Sequence, residues 1–322
     1  MPEKNYTYAV ARIRSKELQL LDTQFINQLV AARSYHECVK LLLDKGWGQE
    51  GHMEVEQILA YEYKRAWDFI AELVEDMSVF DVLLLPNDYH NLKAAIKLVY
   101  TGLQEDKHFI DQGTINPDTI LEAVRTQDDS LLPEHMRSSA KEAYQTVTQT
   151  GDGQLCDLII DKASLEALYA AGKVQTNDVL RHYAELKIAS SNIRIAVRSQ
   201  KTGKSLDWIQ RAMAPCDTLD VERLSQAAVS SFEAICEYLR QTEYEDGVEE
   251  LVSSLSSFER WCEDRLIQKI LPQKYNPFTI GPLAAYLLAK DNEIKTVRII
   301  LLGKMNQLPD DSIKERLRLM YV

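Results

Sequence analysis

Apolar residues recur at helical spacing along most of the chain. From Met53 to Met77 they fall mainly three or four positions apart, which places them on one face of a helix, while Glu56, Asp68 and Glu72 lie on the opposite face. Similar stripes run through Leu18–Val30, His36–Leu43, Leu155–Tyr169, Val179–Val197, Leu224–Leu239, Leu251–Leu271 and Pro282–Leu302. No segment shows the sustained apolar–polar alternation that predicts a strand. The pattern therefore predicts an all-α fold.

A short cassette with similar residue types occurs three times within these stripes. The copies are Asp88–Lys93, Ala189–Arg194 and Glu293–Arg298, and their first residues are 101 and 104 positions apart. Self-similarity at a fixed period indicates that a chain is built from copies of one structural unit. The cassettes therefore predict three similar helical modules.

A helix start follows each cassette. The starts are Asn116–Ile120, Asp217–Val221 and Leu308–Ile313. Asp and Asn at such positions accept a hydrogen bond from a free N–H group of the first turn, and Pro is tolerated in that turn. Each module is thus predicted to contain a helix, a loop and a second helix with a capped beginning.

The repeat divides the 322 residues into modules of about 1–115, 116–217 and 218–322, and the N-terminal segment is a candidate to pack with the third module. A chain of this length exceeds the size at which one core keeps growing, so several cores are expected. The breaks between stripes are short, which favours direct packing of the modules in a pseudo-threefold arrangement.

Composition predicts a soluble globular protein, with 45% apolar and 27% charged residues. The sequence contains no apolar run of about 18 residues and no basic-then-apolar leader, so we expect neither membrane insertion nor export. The five cysteines form no Cys-x-x-Cys pair, which is typical of reduced thiols in a cytoplasmic protein.

The net charge of −12 argues against nucleic acid as a partner, because phosphate binding needs a positive surface. A partner is expected to be basic, or to contact a local patch. The acidic run Glu243–Glu250 has two interpretations: a solvated loop and helix start, or a docking surface for a basic protein.

The sequence predicts no catalytic, cofactor or metal site. Thr202–Ser205 is similar to the end of a phosphate-binding loop, but Arg198 stands where that motif needs glycine, so a turn between helices is the better interpretation. The six histidines show neither His-x-x-x-His nor Cys/His spacing, which makes a metal site improbable.

Cationic residues in and after the cassettes form the candidate binding site. In the first two modules the paired cations lie four positions apart, and in the third Lys295 and Arg298 lie three apart, so each pair shares one helix face. The five candidates are Lys93, Lys97, Arg194, Arg198 and Arg298. One interpretation is a basic surface that receives another protein, and the other is ion pairing with Asp and Glu of the same module.

The C-terminal part of the chain carries a specific family resemblance. Tyr275–Lys304 closely resembles the end of the C subunit of the archaeal and bacterial V-type (A-type) rotary ATPases, which is related to the d subunit of the eukaryotic enzyme. Tyr6–Arg14 and Asn87–Lys93 are similar to the same family, and the more divergent middle module matches mainly through Asn192–Arg194.

The resemblance implies a funnel-shaped, all-helical protein that performs no chemistry. It implies a position at the cytoplasmic face of the membrane, where the protein is the socket between the D and F subunits of the shaft and the membrane rotor ring. ATP hydrolysis or synthesis would thereby be linked to H⁺ or Na⁺ transport, with ion selectivity located in the ring. The alternatives are a stand-alone helical-repeat adaptor and, less favoured, a helical enzyme.

Overall fold

The computed structural model describes residues 6–49, 51, 54–102 and 109–322. These residues form sixteen α-helices with short 3-10 turns and no strand, which confirms the all-α prediction. The helices are α1 Thr7–Glu17, α2 Thr23–Ala31, α3 Tyr35–Asp44, α4 Val55–Ala71, α5 Asp81–Thr101, α6 Pro117–Thr126, α7 Glu134–Thr150, α8 Gly153–Val174, α9 Asp178–Lys201, α10 Leu206–Ala212, α11 Val221–Ser230, α12 Phe232–Leu239, α13 Val248–Ser253, α14 Leu255–Ile270, α15 Gly281–Met305 and α16 Asp310–Lys314.

A helix starts at all three predicted places, and the predicted side-chain cap is confirmed at two of them. The Asn116 side chain accepts a hydrogen bond from the N–H group of Asp118 at the start of α6, and Pro117 is the first helical residue. The Asp220 side chain caps α11 in the same way. Helix α16 begins at Asp310 without a side-chain cap.

Two other sequence predictions concern helix ends. Helix α4 ends at Ala71, so the extension to Met77 was wrong, and Met53 lies outside the described residues. Val74 beyond the helix end is nevertheless buried, which explains why the apolar period continues. The turn predicted at Thr202–Ser205 is confirmed, since Ser205 caps α10.

One compact unit combines the described residues up to Met77 with Ser256–Val322. Helix α15 is its centre, with 18 of 25 residues buried, as expected for a helix that is surrounded by others. Its C-terminal half contributes Ile294, Val297, Ile300 and Leu301 to a core that also contains apolar residues of α2, α3 and α4.

The other unit spans Ser78–Leu255. Helix α8 packs against α5, α7 and α9, and α11 packs against α9 and α12. A core of this unit contains Leu92 and Ile96 of α5 together with apolar residues of α6, α7 and α8. The division into three modules, with a pseudo-threefold, funnel-shaped arrangement, stays a prediction.

Candidate functional site

The three cassettes lie in three long helices, α5, α9 and α15. In each helix a buried asparagine side chain forms hydrogen bonds with the backbone of a non-helical segment that comes later in the chain. The residues are Asn91, Asn192 and Asn292, and their exposed fractions are 0%, 0% and 5%. Buried amides at matching helix positions indicate that the repeat has a structural basis.

The asparagine contacts are similar in the three helices. The Asn91 amide donates to the carbonyl oxygen of Ile110 at 2.8 Å and accepts from its N–H group at 2.8 Å. Asn192 makes the same pair of bonds to Ala214, at 2.9 and 3.1 Å. In the third helix the Asn292 amide donates to the carbonyl oxygen of Leu319 at 2.9 Å. We call these contacts the asparagine clasps.

Aligning the three clasp asparagines gives the third cassette a different register from the one that residue types suggest. Asn91 and Asn192 are 101 residues apart, and Asn292 follows 100 residues later, whereas matching of residue types in the sequence puts Thr296 at this position. The Thr296 hydroxyl instead donates to the carbonyl oxygen of Asn292 within its own helix. In the corrected register Arg298 occupies the position of Lys97 and Arg198.

In two of the helices, a carboxylate one or two turns before the clasp asparagine also accepts hydrogen bonds from the clasped segment. Asp88 accepts hydrogen bonds from the N–H group of Thr114 at 2.9 Å and from its hydroxyl at 2.6 Å. Glu185 does the same for Thr218, at 2.7 Å in both cases. Thr114 and Thr218 both lie four residues after the clasped residue, so the two modules hold their segments by the same means.

The hydrogen bonds of the Asp88 carboxyl can be tested through the pH dependence of stability. Burial raises its pKa to about 6 from 3.8, although the hydrogen bonds from Thr114 and Ile115 oppose the shift. The folded protein therefore binds this proton more tightly than the unfolded chain, and Asp88 lowers the free energy of unfolding as pH rises from about 4 to 6. Asp88→Asn should remove that contribution.

We therefore expect wild type to gain stability relative to Asp88→Asn by about 1–3 kcal/mol between pH 7 and pH 4. Urea unfolding at several pH values, followed by circular dichroism, measures the difference. A difference that is constant with pH would show that the Asp88 pKa is ordinary. Asp118→Asn, at an exposed position of α6, is the matched control.

Two of the five cationic candidates form ion pairs with one neighbouring helix. Lys93 contacts Asp161 at 2.5 Å, and Lys97 contacts Asp157 at 2.9 Å. Both carboxylates belong to α8. The structure thus brings Lys93 and Lys97 together on one face of α5, as their spacing predicts, and gives both the local acidic partners that the ion-pair interpretation requires.

The other three candidates differ in environment. The Arg194 guanidinium donates to the Ser191 hydroxyl at 3.2 Å on its own helix. Arg298 forms an ion pair with Glu56 of α4 at 2.8 Å, and both side chains remain largely exposed. Arg198 is exposed, and no described carboxylate forms an ion pair with it. Whether these cations bind a partner stays a prediction.

The sequence analysis missed a buried charge cluster around Lys290 of α15. Its ammonium group lies 3.0 Å from Glu62 and 2.9 Å from Glu293, and 4.2 Å from the centre of the Trp47 ring. Glu293 also accepts a hydrogen bond from the N–H group of Leu21, and its burial raises its pKa. A lysine within the apolar run of α15 was the available signal.

Metal clusters and membrane spans are both absent from the part of the chain that the structure describes. None of these residues form a group of three or more His, Cys, Asp or Glu side chains suited to a metal ion. Across the same ranges, every helix is too short or too polar to cross a membrane.

Comparisons with known proteins point to one protein family. The model of the ATP synthase (C/AC39) subunit family matches residues 9–316. The C subunit of the V-type sodium ATPase of Enterococcus hirae is 22% identical, with 96% of this chain and 97% of that protein covered. The C subunit of the A-type ATP synthase of Methanocaldococcus jannaschii is 24% identical, with 97% and 86% covered. The C subunit of the V-type ATP synthase of Thermus thermophilus is 24% identical, with 93% and 94% covered. The chain therefore belongs to the ATP synthase (C/AC39) subunit family and is a non-catalytic subunit of a rotary ATPase.

Proposed function

We propose that this chain is the central-stalk component that connects the rotating shaft, formed by the D and F subunits, to the membrane rotor ring. It would lie at the cytoplasmic face of the membrane and link ATP hydrolysis or synthesis to H⁺ or Na⁺ transport. The observation that carries the proposal is the family match, which extends from residue 9 to residue 316. Nearly the whole chain is thereby included, so the proposed role belongs to all of its helices.

The internal contacts suit a part that transmits torque. Such a part must turn as one body, and a loop that slides along its helix would absorb the applied twist. The asparagine clasps at Ile110, Ala214 and Leu319 oppose sliding because each fixes a backbone group at one position of a long helix. Such hydrogen bonds are costly to break where they are buried, because the separated groups cannot form hydrogen bonds with water instead.

The cationic candidates provide a physical basis for binding the shaft. Exposed ion pairs contribute about 0–1 kcal/mol, so carboxylates of a partner can replace Asp157 beside Lys97, or Glu56 beside Arg298, at little net cost. Arg198 is accessible without any such exchange. We therefore propose that acidic groups of the shaft are the partners of these side chains.

Charge reversal tests the shaft contact. We expect Arg198→Glu combined with Arg298→Glu to weaken binding to a purified D–F complex at least about tenfold, because two attractive charges become repulsive. Titration by fluorescence anisotropy at low and moderate salt measures the change. Arg125→Glu combined with Lys141→Glu, at exposed positions of α6 and α7, is the matched control. Equal affinities of the two variants would exclude these residues from the shaft contact.

Co-purification tests the proposed function as a whole. We expect the chain to co-purify with the D and F subunits, and electron microscopy of the assembled complex to locate it between shaft and ring. A stable, folded chain that binds neither D–F nor the ring would contradict the proposal and support a stand-alone helical adaptor.

A further inference from the structure

Three large aromatic side chains are exposed in the unit that contains α15. Tyr8 is 68% exposed, Tyr275 is 88% exposed and Phe278 is 64% exposed. Lys269 and Lys274 come from the same part of the chain, at the end of α14 and in the 3-10 turn that follows. We call these five residues the aromatic–cationic surface.

Hydrogen bonds join the beginning of the chain's first helix to the loop before α15. The N–H group of Tyr6 donates to the carbonyl oxygen of Phe278 at 3.2 Å. The guanidinium of Arg14 donates to the carbonyl oxygens of Gln273 and Asn276, at 2.7 and 3.0 Å. The start of α1, which carries Tyr8, is therefore fixed beside the loop that carries Tyr275 and Phe278.

The charge of this region differs from that of the whole protein. The chain has 49 acidic residues and a net charge of −12, but residues 265–290 contain no Asp or Glu, and neither do residues 6–16. Glu72 borders the region, 4.0 Å from the exposed Arg12. Exposed aromatic groups and an excess of cations thus coincide on a protein that is otherwise acidic.

The two lysines of this surface are not neutralised by neighbouring carboxylates. The Lys274 ammonium lies 4.7 Å from the centre of the Tyr321 ring, and Lys269 is exposed at the last turn of α14. Neither forms an ion pair with a described carboxylate. Arg14 has a different task, because it pairs with the buried Glu17 and holds the loop.

We propose that the aromatic–cationic surface binds the headgroup region of an anionic phospholipid bilayer. Tyr and Phe favour the interface between water and hydrocarbon, and lysines near an anionic leaflet contribute about 1 kcal/mol each. Protein interfaces are also rich in aromatic groups, but they are depleted in lysine. The contact is interfacial, so no helix enters the hydrocarbon core. The proposal goes beyond the coupling function and does not depend on the shaft contact.

Vesicle binding by the full chain tests this proposal. We expect it to co-sediment with vesicles of phosphatidylcholine and phosphatidylglycerol, and at least about tenfold more weakly with phosphatidylcholine alone. Lys269→Glu combined with Lys274→Glu should reduce binding to the anionic vesicles about tenfold or more. Tyr275→Ser combined with Phe278→Ser should reduce it to a similar extent, since the aromatic area is lost.

Two control variants distinguish binding by this surface from non-specific adsorption to the vesicles. Val174→Ser combined with Val229→Ser removes apolar groups that are 78% and 51% exposed elsewhere, and Arg125→Glu combined with Lys141→Glu reverses two distant charges. Both should bind like wild type. The proposal is overturned if wild type ignores lipid composition or if all four variants bind equally. A third result also overturns the proposal. If wild type does not bind vesicles and the Lys269 and Lys274 variant loses binding to the rotor ring, the partner of this surface is an acidic protein loop.

Discussion

Lys290→Met is expected to lower the free energy of unfolding by about 3–5 kcal/mol, because it leaves the buried Glu293 without its counter-ion and removes one of the two cations of Glu62, which keeps Arg65 at 2.7 Å. Glu62 and Glu293 are 0% and 1% exposed, and the lysine between them is 4% exposed. Methionine fills a similar volume, so the loss reports on charge more than on packing. Urea unfolding of the full chain at pH 7 measures it.

The pH dependence of this variant identifies the cause. Glu293 has a raised pKa in the wild type, and without Lys290 its pKa should rise further. The folded variant then takes up a proton that the unfolded chain binds only near its ordinary pKa of 4.5, so its deficit should shrink as pH falls from 7 towards 5. A deficit that is the same at both pH values would point to a packing defect.

Two further variants complete the test. Lys64→Met removes one partner of an exposed pair with Asp68 and should change stability by less than about 1 kcal/mol. Glu293→Gln introduced together with Lys290→Met should recover part of the loss, since the carboxylate that lost its counter-ion is gone.

Substitution of the three clasp residues by alanine is expected to destabilise the protein in a graded way. Asn192→Ala leaves the buried N–H group and carbonyl oxygen of Ala214 without a partner, at a cost of about 2–4 kcal/mol. Asn91→Ala does the same to the half-buried groups of Ile110 and should cost somewhat less. Asn292→Ala breaks one bond to Leu319 and should cost about 1–2 kcal/mol. Chemical unfolding gives the three values.

Asn306→Ala is the matched control for the clasps. Asn306 is exposed near the end of α15 and donates to the carbonyl oxygen of Leu302 within the same stretch of chain. Its loss should change stability by less than about 0.5 kcal/mol. If Asn192→Ala is as mild as this control, the clasps contribute little to stability, and water must satisfy the groups they leave.

The fold class and several helix boundaries could be predicted because they depend on local rules. Helical periodicity and the caps at Asn116 and Asp220 are decided by neighbours in sequence. The end of α4 could not be predicted, because periodicity reports burial rather than backbone hydrogen bonding, and Val74 is buried outside the helix. Local pattern alone does not distinguish those two cases.

The candidate site was less predictable because its interactions join distant residues. Matching residue types puts Thr296 in the repeat, whereas the structure uses Asn292, whose partner Leu319 is 27 residues away. The ion pairs of Lys93 and Lys97 likewise depend on helix α8, whose carboxylates are 68 and 60 residues further along the chain. Only tertiary packing determines which of several equally spaced polar residues faces a partner.

The discontinuous unit around α15 has a consequence for synthesis of the chain. Helices α2 to α4 share a core with α15 and with Ile313 of α16, so they cannot complete that core until the ribosome has delivered those residues. The intervening unit, Ser78–Leu255, is continuous and can fold first. During that interval Leu29, Leu42 and Ile58 remain without their α15 partners. Helices α2 to α4 are therefore synthesised well before their core is complete, and a chaperone would protect them in that interval.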